Sequence, residues 1–176
     1  MRYLALFRGI NVGGKNVVKM KELKELFSEL GFTDVNSYIQ SGNILFTTDK
    51  EISDFSKEIA EAFAQRFGFS VPIIYRTKTE MLSIRDRLPF TAAEIAEAER
   101  QDPKIVHLYV YFSTASMTPQ EISGLGERAV VKDKDIYYLT EQSIRLSKLT
   151  AKLNKLAELT ARNWKTVLRL TALLEE

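Results

Sequence analysis

Between Phe7 and Asn16 the chain reads Phe-Arg-Gly-Ile-Asn-Val-Gly-Gly-Lys-Asn, and three of its eight glycines fall there. A backbone this rich in glycine can lay N–H groups against an anion, and Arg8 and Lys15 bring positive charge to the same loop. Gly9, four residues, then Gly14-Lys15 follows the spacing of a phosphate-binding loop until Asn16, which stands where a Ser or Thr hydroxyl would ligate Mg²⁺. No apolar strand ending in Asp follows to hold a metal, so the pattern argues against nucleotide hydrolysis and leaves anion binding open. The structural alternative is a loop whose Gly13 and Gly14 serve a turn while Lys15 is merely solvated.

Three further groupings carry polar chemistry. Tyr38-Ile-Gln-Ser-Gly-Asn43 sets Gln40, Ser41 and Asn43 at a strand–turn–strand junction, where amides that donate and accept suit a polar ligand edge or a plain turn. Near the end, Arg145, Lys148, Lys152 and Lys155 run one position ahead of Leu146, Leu149, Leu153 and Leu156. That pattern predicts a basic rail beside an apolar stripe, which a phosphate backbone or simple lysine snorkelling explains equally well. Thr160 is read as the N-cap of a last helix, placing Arg162, Asn163, Trp164 and Lys165 in its first turns, where the dipole favours an anion. The lone His107 is read as a structural histidine within a strand, because it has no companion for a metal site and no nucleophile-elbow sequence for a triad.

Composition supplies exclusions. With no cysteine, disulfides, thiolate nucleophiles and Cys-ligated metals are ruled out, and one histidine removes multi-His sites. No metal and no cofactor are therefore expected. No window approaches a membrane span and the opening residues do not read as a secretory signal, so the expected location is cytoplasmic, with no membrane partner. The net charge of +2 hides an uneven spread. Residues 1–24 set six cations against Glu22, and residues 144–170 set seven against Glu158. If these ends meet, they form a positive face that the net charge conceals.

The elements that would position these groups follow from periodicity. A strand over 3–8, a helix over 19–30, strands over 34–40 and 43–48, a helix over 52–67 and a strand over 71–75 give the order βαββαβ. This predicts an α+β protein with a ferredoxin-like N-terminal subdomain over 1–78. Tyr3, Phe7 and Phe46 are then core residues in preference to a base-stacking face. Residues 79–103 read as a helical connector, with Thr79 capping one helix and Thr91-Ala-Ala-Glu94 boxing the next. From 104 to 176 the expectation is a related βαββαα subdomain. In it a strand over 104–112 precedes a short helix opened by Thr118-Pro-Gln-Glu121, two strands meet around Asp133-Lys134-Asp135, and helices span 147–159 and 162–174.

Taken together, Arg8-Gly-Ile-Asn-Val-Gly-Gly-Lys-Asn16, Tyr38-Ile-Gln-Ser-Gly-Asn43, Ser147-Lys-Leu-Thr150 and Thr160 through Val167 resemble the bacterial domain-of-unknown-function 1697 family. The resemblance spans nearly the whole chain. It departs between Leu139 and Ser147, where Thr140-Glu-Gln-Ser-Ile-Arg145 replaces a glycine-containing approach. It implies the fold and one shared site made of Arg8, Asn11, Lys15, Asn16, Gln40, Ser41, Asn43, Lys148, Arg162, Asn163 and Trp164, but no reaction. The leading expectation is a binding module whose basic cleft between the subdomains holds a phosphate-bearing ligand, a nucleotide or single-stranded nucleic acid, with Gly13 and Gly14 cradling the phosphate. The alternatives are a metal-free transferase or hydrolase using Lys, Ser and Asn groups, and a structural protein that forms a homodimer through its leucine stripe.

Overall fold

The computed structural model describes all residues from Met1 to Glu176. The chain divides into two compact units, Met1–Met81 with Leu170–Glu176, and Leu82–Arg169.

The first unit begins with β1 (Arg2–Phe7), α1 (Met20–Glu29), β2 (Thr33–Ser37), β3 (Asn43–Thr47), α2 (Ile52–Phe67) and β4 (Ile73–Thr77). Its sheet is wholly antiparallel in the order β2-β3-β1-β4. Alternation along β1 sends Tyr3, Ala5 and Phe7 into a core with Phe46 and Tyr75, packed against Leu23 and Phe27 of α1 and Phe55, Ile59 and Phe63 of α2. Tyr3 meets Phe55 edge-on at 5.0 Å and Phe7 meets Phe63 tilted at 5.2 Å, while Tyr3 stacks on Phe46. These aromatics lie inside, as their apolar strands dictate, and offer no platform to a base. Leu4, Leu6, Leu45 and Ile74, of the opposite parity, are also fully buried.

α3 (Lys78–Asp86) follows β4 without a linker. Thr77, not Thr79, closes its first turn. The Thr77 N–H donates to Glu80 Oε2 at 2.7 Å and the Glu80 N–H returns to Thr77 Oγ1 at 3.2 Å, satisfying two otherwise orphaned donors. The box at Thr91 and Glu94 opens α4 (Ala92–Gln101) as its sequence dictates.

The second unit departs from the βαββαα expectation at two places. It contains β5 (Leu108–Ser113), β6 (Gln120–Gly124), β7 (Glu127–Lys132), β8 (Asp135–Thr140), a 3₁₀ turn (Ile144–Leu146), α5 (Lys148–Leu153), β9 (Leu159–Asn163) and α6 (Trp164–Glu175). The five strands form an antiparallel sheet in the order β6-β7-β8-β5-β9.

The segment read as a boxed helix at Thr118 is the edge strand β6. Pro119 lies just before the strand, where no ladder N–H is needed, and Ile122 packs on the core. Leu125 and Gly126, at φ +52° and +75°, then form a two-residue turn that folds β6 onto β7. The second departure is β9, which pairs along β5 from Tyr109↔Asn163 to Ser113↔Leu159. The free edge of β5 takes up this segment, so helix 147–159 shortens to α5. Leu149 and Leu153 are buried, whereas Leu146 and Leu156 lie outside the helix and are exposed, so the expected stripe is not continuous.

The β6–β7 turn yields a stability prediction. Leu125 holds a left-handed conformation at 85% exposure, where its side chain gains no packing to offset the strain. Leu125→Asn, which suits the first position of such a turn, should stabilise the protein by about 0.5–1 kcal/mol in urea denaturation. No change would mean that the leucine is already relieved.

Candidate anion-binding site

The loop after β1 is a small hairpin in its own right. Val12 bridges Lys15, the Lys15 N–H donates to Val12 O at 3.0 Å, and the Asn11 N–H donates to Asn16 O at 3.1 Å. Gly13 and Gly14, at φ +59° and +72°, form its two-residue turn, which side chains would strain. Their N–H groups take part in no hydrogen bond of the chain and face solvent. The Asn16 amide donates to Gly9 O at 3.2 Å, so Arg8 and Lys15 flank a closed pair of loop strands. Lys15 is exposed and Arg8 half-buried, and neither side chain has an ion-pair or hydrogen-bond partner.

Asn11 fixes this loop. Its Oδ1 accepts from the Val18 N–H at 2.7 Å, and its Nδ2 donates to Val18 O at 2.9 Å and to Gln40 O at 2.8 Å. An amide spent on three backbone groups positions the site and is not left over for a ligand. It also ties the loop to the β2–β3 turn, bringing Gln40, Ser41 and Asn43 beside Arg8–Asn16. There Asn43 is fully buried, donating to Tyr38 O at 2.9 Å and to Ser41 Oγ at 3.0 Å, so it too is a turn-holding residue. The Gln40 side chain is exposed and available.

Lys148, Arg162, Asn163 and Trp164 belong to the second unit. Arg162 is not at a helix start. It lies in β9 opposite Val110, buried, donating to Thr160 Oγ1 and Ala161 O at 2.9 Å each, and burial pushes its guanidinium down to about 10. Thr160 is a strand residue, and the cap of α6 is Asn163, whose Oδ1 accepts from the Thr166 N–H at 2.8 Å. Asn163 and Trp164 line a cavity of about 370 Å³ with His107 and Leu168. His107 precedes β5 instead of lying within it. Its Nδ1 is 2.6 Å from Thr140 O and its Nε2 2.7 Å from Asp102 O, a buried bracket between β8 and the segment after α4. Lys148 is exposed at the start of α5.

Sequence reasoning passed over Glu127. It is 4% exposed and accepts a hydrogen bond at Oε1 from the Tyr138 hydroxyl, which lies 3.0 Å from Ser147 Oγ. The signal was present, since period two along β7 puts Glu127 on the inward face of Ala129 and Val131.

Fold and loop together define a class: an α+β protein built on two antiparallel sheets, with a polar, glycine-turned loop after its first strand. The family model described as protein of unknown function (DUF1697) matches residues 1–144, and the chain belongs to that family. Among solved structures, the chain is similar to the conserved bacterial protein SP0830 from Streptococcus pneumoniae, at 23% identity and a TM-score of 0.72 over 98% of each chain, which shows the fold. No curated protein matches the sequence. No helix is long and apolar enough to cross a membrane.

Proposed function

We propose that this chain is a cytoplasmic binding protein for a phosphate-bearing ligand, a nucleotide or single-stranded nucleic acid, received by the loop at 8–16 and the adjoining turn at 40–42. The observation that carries the reading is the loop itself. Two cations without partners flank two glycine N–H groups that no carbonyl of the chain uses, and Asn11 holds the frame rigid. Preformed donors and unpaired charge bind an oxyanion with little ordering cost. In this reading Arg8 and Lys15 neutralise phosphate, Gly13 and Gly14 donate to it, and Gln40 reads a polar edge. The βαββαβ order and the β2-β3-β1-β4 sheet support a ferredoxin-like assignment for the first unit. Lys15 and Lys148 are both exposed, so neither has the burial that a lysine-based transferase would use for activation.

Titration of ATP and of an oligothymidylate against the protein and an Arg8→Ala/Lys15→Ala variant tests this. The variant should keep its denaturation midpoint and bind at least about tenfold more weakly, as expected for loss of charge-assisted contacts. Equal affinity in the two proteins would refute the assignment. A steep fall of oligonucleotide affinity with salt would mark a multi-phosphate contact, and a shallow one a single phosphate group.

A further inference from the structure

A second cavity lies wholly in the second unit, away from the loop just described in sequence and opposite to it in charge. It measures about 510 Å³ and opens between α4 and the β6–β7 turn, within the range of small-ligand sites. Ala93, Ala98 and Leu139 give it apolar walls, and Glu94, Glu97, Glu127 and Glu141 line it together with one cation, Arg128.

Arg128 is committed elsewhere. Its guanidinium bonds Glu94 Oε1 at 2.5 Å and Glu121 Oε1 at 2.8 Å, and it stacks 5.1 Å from the Phe90 ring. Glu97 is paired with Arg100. Two carboxylates therefore remain without a cation, Glu127 and Glu141. Glu141 sits on the rim, folded beside Gly126. Glu127 is more than nine-tenths buried. Its Oε1 accepts a hydrogen bond from the Tyr138 hydroxyl, while Oε2 has no hydrogen-bond partner in the chain, and the residue lines the cavity. A largely enclosed carboxylate that lines a cavity with no cation of the chain beside it is a favourable seat for a cation or donor that enters.

The occupant must match that environment. An anion would meet uncompensated negative charge. A metal ion lacks a ligand set, since no three acidic or histidine side chains gather closely enough to hold one. An ammonium on an aliphatic stem satisfies both demands, lying along the apolar walls and placing its charge on Glu127. We propose that this cleft binds a primary ammonium carried on an aliphatic stem, either a free polyamine or a lysine side chain presented by a peptide, with Glu127 as its counter-ion.

Amide-resolved NMR titration at neutral pH with spermidine and, separately, Nα-acetyl-lysine amide tests the proposal and separates the two sources. Butanol serves as the uncharged counterpart and MgCl₂ as a control for bulk charge. At least one amine should shift the amides of Ala98, Gly126 and Leu139 saturably, with butanol and Mg²⁺ leaving them in place. Spermidine alone would assign a free polyamine, and acetyl-lysine amide alone a peptide. Glu127→Gln, which keeps an oxygen for Tyr138, should weaken the amine by at least about tenfold, as loss of a charged partner predicts. Should that variant fail to fold, Glu141→Gln on the exposed rim should still weaken it measurably. Absence of shifts up to 10 mM of either amine (about 3 kcal/mol of binding or less) would overturn the assignment. So would equal binding of butanol, or affinity unchanged in both variants.

Discussion

Gly42→Ala is expected to lower stability by about 3 kcal/mol, the sum of two effects on one methyl group. Gly42 holds φ +81°, which alone costs an L side chain about 1 kcal/mol. Its added Cβ would also lie 2.7 Å from Ile10 Cδ1 and 2.8 Å from Phe7 Cβ. The Ile10 tip can move, but the Phe7 Cβ is fixed to β1, and the Phe7 N–H already donates to Gly42 O at 2.9 Å. The strand and the turn therefore cannot separate without losing that bond. Gly13→Ala and Gly14→Ala are the matched comparison, with the same sign of φ and nothing within 4 Å. Each should cost only about 1 kcal/mol. Urea denaturation of the three variants measures the difference, and equal losses would show that crowding at Gly42 is not what demands glycine. Because Ile10 lies inside the loop proposed to bind an anion, Gly42→Ala should on that proposal also weaken phosphate-ligand binding, whereas the Gly13 and Gly14 variants should change it through the turn alone.

Alkaline solution should unfold the protein cooperatively between pH 10 and 12. Burial pushes the Tyr111 phenol up to about 12, and it pushes Tyr75 and Tyr137 up as well. In the unfolded chain these groups ionise near their ordinary value of about 10. Above that pH the folded state holds protons that the unfolded state has released, so stability is full below pH 10 and falls as pH rises. For Tyr111 and Tyr75 together the slope is about 3 kcal/mol per pH unit, which across the window reaches the lower end of an ordinary folding free energy before Tyr137 adds to it. The Tyr75 hydroxyl is buried without a partner, so Tyr75→Phe should move the transition upward at no cost in packing. Tyrosinate absorbance and circular dichroism followed in parallel supply the check. Ionisation of all seven tyrosines near pH 10 with the helical signal intact would contradict the burial argument.

What could be read in advance depended on whether local pattern and tertiary demand agreed. α2 runs from Ile52 to Phe67 as its periodicity dictates, because Phe55, Ile59 and Phe63 face the core and the chain around it offers no competing partner. At Thr118 and Thr160 the local signals were capping residues, and both were overridden. β6 exists because a two-residue turn folds it back on β7, and β9 because β5 has an edge to fill, neither of which is a property of six consecutive residues. The site divides in the same way. Residue types and spacing put Arg8, Lys15 and the glycines on one loop. They did not reveal that Asn11 and Asn43 spend their amides on the backbone, nor that Arg162 would be buried in a strand. An asparagine that holds a loop and one that holds a ligand look alike until the carbonyls around them are located.

The division of α6 bears on how the chain must be made. Its final residues, Leu170–Glu176, group with the unit that contains Met1–Met81, so residues 1–81 acquire their last segment only after the whole second unit has emerged. A ribosome-bound chain can fold the first sheet on its two helices but must hold that product open for a late arrival. Expression of residues 1–81 alone therefore yields a unit that lacks Leu170–Glu176.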